Sequence, residues 1–172
     1  MEKMVILETA ESVNAKIKEL GSLITKAYKD EPLTMLVVMN GGLFFAAKLA
    51  EAIDKEDFYI DSMAAGSYNN NVSSGVVQLR STLKLDPKGR HILIVDEVLD
   101  SGRTLKAICE NLLSMGALSV KSAVLVEKTI PRPNGIEHAN WAGFYMEDRY
   151  LIGCGMDSNE KYRHFPGIAV IE

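Results

Sequence analysis

The chain has 172 residues, 47% hydrophobic and 24% charged, and its 19 Lys and Arg against 23 Asp and Glu give a formal charge of −4. This is ordinary globular composition at a length suited to one domain, spanning 1–172, that buries about 70% of its unfolded surface. The acidic balance argues against a nucleic-acid footprint, no apolar run approaches the ~20 residues of a membrane helix, and Cys109 and Cys154 read as two free thiols rather than a disulfide framework.

The first ten residues hold a short apolar stretch bounded by acids, so no signal peptide is expected and the setting reads as cytoplasmic. Residues 9–29 carry Val13, Ile17, Leu20, Leu23, Ile24 and Ala27 at spacings of three and four, which predicts an amphipathic helix. Residues 35–39 form a continuous apolar run ending in Asn40-Gly41-Gly42, as a strand buried on both faces would. Residues 43–53 read as a helix and 58–63 as a strand. Residues 66–81 are rich in Gly, Ser and Asn and read as a long flexible loop, a length often tied to function. After the Asp86-Pro87-Lys88-Gly89 turn, 91–95 is the strongest buried-strand signal. Residues 104–115 read as a helix with Leu105, Ile108, Cys109, Leu112 and Met115 inward, closed by Gly116. Strands follow at 120–126, within 142–154 and at 168–171. Alternating strands and helices predict an α/β fold with a mostly parallel core sheet flanked by helices, and a small C-terminal hood over about 141–172.

The segment Val95-Asp96-Glu97-Val98-Leu99-Asp100-Ser101-Gly102-Arg103-Thr104 runs from strand through an acidic pair and a tight loop into a helix. Ligands of open α/β sheets bind outside the carboxyl ends of the strands, which is where this loop lies. Ser101, Gly102 and Thr104 are small and polar, and amides at a helix start hold phosphate. Asp96, Glu97 and Asp100 would repel a bare polyphosphate. They suit ribose hydroxyls, or a polyphosphate reached through Mg²⁺. The competing structural reading is that Asp100-Ser101 simply caps the helix. Neither the P-loop pattern nor Gly-x-Gly-x-x-Gly occurs, no nucleophile motif of a hydrolase is present, and His91, His138 and His164 lack zinc-ligand spacing.

The same segment resembles the diphosphoribosyl-binding signature of the type I phosphoribosyltransferases. Four further stretches resemble the hypoxanthine-guanine phosphoribosyltransferases among them: Met39-Asn40-Gly41-Gly42, Ser67-Tyr68, Lys128 after a strand, and the run from Asp148 to Arg163 that includes Tyr150, Leu151 and Asp157. The likeness covers nearly the whole chain in the family's order. It implies transfer of a 5-phosphoribosyl group from 5-phosphoribosyl 1-diphosphate to a 6-oxopurine with Mg²⁺. The alternatives are a xanthine- or guanine-preferring enzyme and a non-catalytic regulator that binds the diphosphate sugar.

By this resemblance Asp96 and Glu97 bind the ribose hydroxyls, directly or through Mg²⁺. Asp100 accepts a proton near purine N7. Ser101, Gly102, Arg103 and Thr104 hold the 5-phosphate. Lys128 donates to the 6-oxo group, Tyr150 stacks on the base, and Leu151 offers backbone groups to its edge. Asp157 lies at the purine site and serves a second Mg²⁺. Asn40, Gly41, Gly42, Ser67, Tyr68 and Arg163 contact the pyrophosphate. Members that carry Lys in the Asn40 position have a cis peptide there, so the resemblance implies a cis Met39–Asn40 bond, with one positive charge fewer. Tyr150 stands where Phe is common. A homodimer or homotetramer is implied, and Cys154 is expected to be structural.

Overall fold

A computed structural model describes residues 3–64 and 83–172. The chain runs β1 (Met4–Glu8), α1 (Ala10–Ala27), β2 (Leu33–Met39), α2 (Leu43–Ala52), β3 (Phe58–Ala64), β4 (His91–Leu99), α3 (Arg103–Ser114), β5 (Ser119–Lys128), β6 (Trp141–Met146), β7 (Leu151–Ile152) and β8 (Ile168–Ile171). The core is a five-stranded parallel sheet in the order β3-β2-β4-β5-β6. A second sheet, β1-β8-β7, is antiparallel.

The central strands are largely apolar because both faces are covered, with Thr34, Ser122 and Glu127 the buried polar exceptions among the described residues of β2, β4 and β5. Met35, Val37, Leu93, Val95, Ala123 and Leu125 pack with α1 and α2 on one side. Leu36, Val38, Ile92, Ile94 and Val124 pack with Leu105, Ile108 and Leu112 of α3 on the other. This is the alternation of a pleated strand, with no polar face left to alternate with. Helix α1 buries Val13, Ile17, Leu20 and Ile24, and the Thr9 hydroxyl accepts from the Ser12 amide at its start. Each such side chain contributes about 1.5–3 kcal/mol, against about 1 kcal/mol for the cap, so packing rather than capping holds this helix.

Three expectations change. Strand β4 does not stop at Val95 but continues to Leu99, so the acidic pair sits on the strand's end and is aimed by its pleat. Met115 is not inward: it is the C-cap of α3 and 44% exposed, because the helix ends one turn past Leu112 and closes through Gly116 N–H to Leu113 and Ala117 N–H to Leu112. The hood is not purely C-terminal. Strand β6 belongs to the core sheet beside β5, while the N-terminal β1 completes the small sheet against β8. The loop expected at 66–81, Ser67 and Tyr68 included, lies outside the described residues. Among the described residues no helix is long and apolar enough to cross a membrane, and both cysteines are free.

Candidate active site

The chain leaves β2 toward β3 on one side, while β4 lies on its other side and leads on to β5. The strand order therefore reverses between β2 and β4, and a crevice opens outside their carboxyl ends. A cavity of about 440 Å³ lies there. Asn40 and Gly41 line it from β2, Asp96, Glu97 and Asp100 from β4, and Ser101, Gly102 and Thr104 from the loop into α3. Asp157 and Arg163 close it from the hood. Arg103, Gly42, Lys128, Tyr150 and Leu151 lie outside this lining, Arg103 with its side chain exposed.

Both helices that start at this crevice begin without a side-chain cap: Gly42 precedes α2 and Gly102 precedes α3. The N-cap position is Gly102 rather than Asp100 or Ser101; Ser101 Oγ makes only a long contact, 3.5 Å, with the Arg103 amide, and a helix start without a cap side chain is suited to an anion. Gly102 has φ +72°, and a Cβ there would stand 2.5 Å from the Ile136 carbonyl oxygen. Only glycine combines that backbone with that approach. The Met39–Asn40 peptide is cis.

Asp96 and Glu97 form a crowded acidic pair. Burial and the neighbouring Glu97 carboxylate hold the Asp96 carboxyl well above its usual range. Glu97 Oε2 is buried and has no hydrogen-bond partner among the described residues. An orphaned carboxylate oxygen beside a second carboxylate is a donor set suited to a hard cation. Among the described residues no three His, Cys, Asp or Glu side chains converge into a cage for a metal. A cation would thus draw most of its ligands from water and substrate oxygens, the habit of Mg²⁺.

Lys128 ends β5 and reaches back to Asp100, with Nζ 3.3 Å from one Asp100 carboxylate oxygen and 2.8 Å from Asp148. Burial alone would lower its pKa, but Asp148 and Asp100 outweigh burial and raise it above the ordinary lysine value. A raised lysine contributes stability that is complete below its unfolded value and is lost as pH rises through the folded one. Melting temperatures of wild type and Lys128→Met followed from pH 9 to 12 are expected to converge at the alkaline end. Parallel curves over that range would contradict the ion-pair account.

The hood contributes differently from each position. Tyr150 is 69% exposed, and Leu151 is buried in β7. Arg163 does not stand open to a ligand: Nη1 donates to the Gly155 carbonyl at 2.7 Å, and Nη2 lies 3.0 Å from both Asp157 and Glu160. Asp157 also accepts from the Glu160 amide at 2.9 Å. Gly155, with φ +101°, lies so close to the Asn40–Gly42 turn that a Cβ would stand 1.8 Å from the Gly41 carbonyl oxygen. A Cβ on Gly41 would in turn meet the Glu97 carboxylate at 2.2 Å. Hood, loop and acidic strand are thus stacked without slack.

Residues 6–145 match the phosphoribosyl transferase domain family. The chain belongs to the phosphoribosyltransferase family. A hypoxanthine-guanine phosphoribosyltransferase of Bacillus subtilis is 36% identical over 100% of this chain and 94% of its own length. A hypoxanthine-guanine-xanthine phosphoribosyltransferase of Tritrichomonas foetus is 30% identical, over 97% and 91%. The crystal structure of a hypoxanthine phosphoribosyltransferase from Staphylococcus aureus superposes with a TM-score of 0.90 at 31% identity, covering 98% of this chain and 91% of that one.

Four residues at this phosphoribosyltransferase site escaped the sequence reading. Asp148 shares Lys128, and Glu160 shares Arg163. The other two are Glu127, only 2% exposed, and Arg132, 8% exposed. A buried charge needs a partner, but neither partner is visible in a one-dimensional pattern. The one available signal was Glu127, a charge interrupting the buried run of β5.

Proposed function

We propose that this phosphoribosyltransferase moves the 5-phosphoribosyl group from 5-phosphoribosyl 1-diphosphate to hypoxanthine or guanine and releases pyrophosphate, a reaction of purine salvage. The observation that carries the base assignment is the contact between the Asp100 carboxylate and the Lys128 ammonium at 3.3 Å. N7 and O6 lie side by side on one edge of a 6-oxopurine. An acceptor and a donor held next to each other therefore match that edge, with Asp100 at N7 and Lys128 at O6. Adenine presents an amino group where Lys128 needs an acceptor.

The remaining roles follow from position. Amides and hydroxyls of the Ser101–Thr104 turn take the 5-phosphate at the uncapped start of α3. Arg103 contributes its amide there, its side chain being turned to solvent. Asp96 and Glu97 face the ribose and offset the positive charge that builds on it as pyrophosphate leaves. Backbone at Asn40, Gly41 and Gly42 meets the departing pyrophosphate. Arg163 joins it by releasing Glu160, whose side chain is 77% exposed and costs little to detach. Ser67 and Tyr68 retain their proposed place over the pyrophosphate. Tyr150 offers an exposed ring to stack on the base, and Leu151 its backbone.

Mg²⁺, when bound, supplies charge neutralisation for the diphosphate. Asp96 and Glu97 are the residues suited to hold it, directly or through water, with Asp157 facing the same cavity. Asp100 accepts the N7 proton as general base, and Lys128 keeps the base oriented through O6.

The test is to incubate the protein with 5-phosphoribosyl 1-diphosphate, Mg²⁺ and each of hypoxanthine, guanine, xanthine and adenine, and to measure pyrophosphate. Release with hypoxanthine and guanine is expected. No release with any base would refute the enzyme reading.

A further inference from the structure

Arg132 lies in the connection between β5 and β6, and its side chain is only 2% exposed. Its guanidinium donates to five backbone carbonyls. Nε binds Asp100 at 2.6 Å, and Nη2 binds Leu99 at 3.0 Å and also Lys128. Nη1 binds Glu137 at 2.9 Å and Ile130 at 3.3 Å. The buried Glu127 carboxylate stands 3.9 Å from Nη1. Glu127 is itself fixed by the Ala139 amide at 3.0 Å and by His138 Nδ1 at 2.6 Å.

Two of those five carbonyls belong to Asp100 and Lys128, the residues assigned to N7 and O6. Asp100 follows the end of β4 and Lys128 is the last residue of β5, 28 positions apart in sequence. We propose that Arg132, countered by Glu127, is the positioning residue that sets the spacing between the Asp100 carboxylate and the Lys128 ammonium, and so the match to the N7–O6 edge of the purine. The proposal rests on the roles given above to Asp100 and Lys128.

The physical argument is one of donor geometry. A guanidinium carries five N–H donors in a rigid plane, so the carbonyls it holds are fixed in direction as well as distance. An ammonium carries three donors on one atom and cannot serve both backbones. With Lys in this place the strands stay paired as far as Leu99 and Glu127, but the carbonyls beyond that rung lose their shared donor, and the two side chains no longer present the spacing of one purine edge. The β4–β5 ladder pairs Leu99 with Glu127 and ends there; one residue further on, Arg132 is the side chain that binds the backbones of both Asp100 and Lys128, while Gly102 accepts from the Ile136 amide and from its own helix. Glu127 acts one step further out. Its charge keeps the buried guanidinium compensated, and its bonds to His138 and Ala139 hold the far side of the same loop.

The test compares wild type with Arg132→Lys and Glu127→Gln, each checked for folding by its melting curve. Steady-state constants are measured for hypoxanthine and for the diphosphate sugar, together with the ratio of hypoxanthine to adenine use. A small misplacement of reacting groups costs up to about 10²-fold in rate, so Arg132→Lys is expected to lose about that much kcat/KM for hypoxanthine. The loss should appear as a raised purine KM and a base ratio that falls about tenfold, with Glu127→Gln moving the same way by less. A merely structural role lowers the active fraction: kcat falls while both KM values and the base ratio stay at wild type. That pattern overturns the proposal, whether seen in Arg132→Lys or, should that variant not fold, in Glu127→Gln. A wild-type protein that makes no nucleotide from any base is a separate result, which overturns the functional reading and this proposal with it.

Discussion

Replacing Asp100 with asparagine is expected to cut turnover about 10²–10⁴-fold, the range of a lost general base. Asparagine keeps the shape and one acceptor oxygen but cannot take a proton. The side chain of Asp100 is 56% exposed, so its fold contribution is small, and surface changes of this kind stay within about 0.5 kcal/mol. Lys128 keeps its 2.8 Å partner Asp148 in the variant, so the ammonium remains in place. The signature is therefore a large loss of kcat with little change in melting temperature or in KM for the diphosphate sugar. Turnover within about threefold of wild type would remove the role assigned to Asp100, since even weak general bases contribute more than that.

Gly155→Ala is the second large effect, and it reaches the site through backbone. The new methyl would stand 1.8 Å from the Gly41 carbonyl oxygen, at a residue whose φ is +101°. Neither atom can yield alone, because Gly41 is itself backed by the Glu97 carboxylate. Overpacking and left-handed strain together are expected to cost about 2–5 kcal/mol and to displace the Asn40–Gly42 turn. Melting curves and kcat/KM for the diphosphate sugar should both fall. Gly89→Ala is the matched control: φ is +74° there, but nothing lies within 4 Å of the added methyl. It should lower stability by only about 1 kcal/mol and leave turnover intact. Equal behaviour of the two variants would mean that the contact between hood and loop carries nothing.

The parts of this protein legible in its sequence are those written by local pattern. Five apolar residues in a row before Asn40-Gly41-Gly42 announce a strand covered on both faces, and β2 is that strand. The i, i+3, i+4 spacing of Val13, Ile17, Leu20 and Ile24 announces α1, and all four are buried. The strand, acids, loop and helix of 92–105 announce β4, the turn and α3 that line the crevice, since each step has its own residue chemistry. Long-range closure is not written this way. Nothing in Met4–Glu8 says that it pairs with Ile168–Ile171 to finish the hood. Nothing around Arg132 says that its donors fall on the carbonyls of Leu99 and Asp100, more than thirty positions away. Arg163 shows the same limit from the other side. The resemblance implies a pyrophosphate contact for it, and in the fold its guanidinium meets two carboxylates of the hood itself, Asp157 and Glu160.

Charge looks different once the site is assembled. The formal balance of −4 sits beside a crevice proposed to take a diphosphate sugar. Uncapped helix starts at Gly42 and Gly102 supply positive dipole ends without any side-chain charge. The crowded Asp96–Glu97 pair, costly when empty of cation, becomes favourable where a divalent ion bridges it to phosphate. An acidic protein can therefore bind a polyphosphate with few basic side chains.

The most direct measurement offers the protein hypoxanthine and adenine together, in equal amounts, with limiting 5-phosphoribosyl 1-diphosphate and Mg²⁺, and weighs the two nucleotides formed by mass spectrometry. A buried donor that must meet O6 rejects an amino group by roughly 10²–10⁴-fold, so the hypoxanthine nucleotide should exceed the adenine nucleotide by at least about a hundredfold in wild type, and the excess should collapse in Lys128→Met. Comparable yields of the two nucleotides from the wild-type protein, or an excess that survives in Lys128→Met, would contradict the assignment of the Asp100–Lys128 pair to the purine edge.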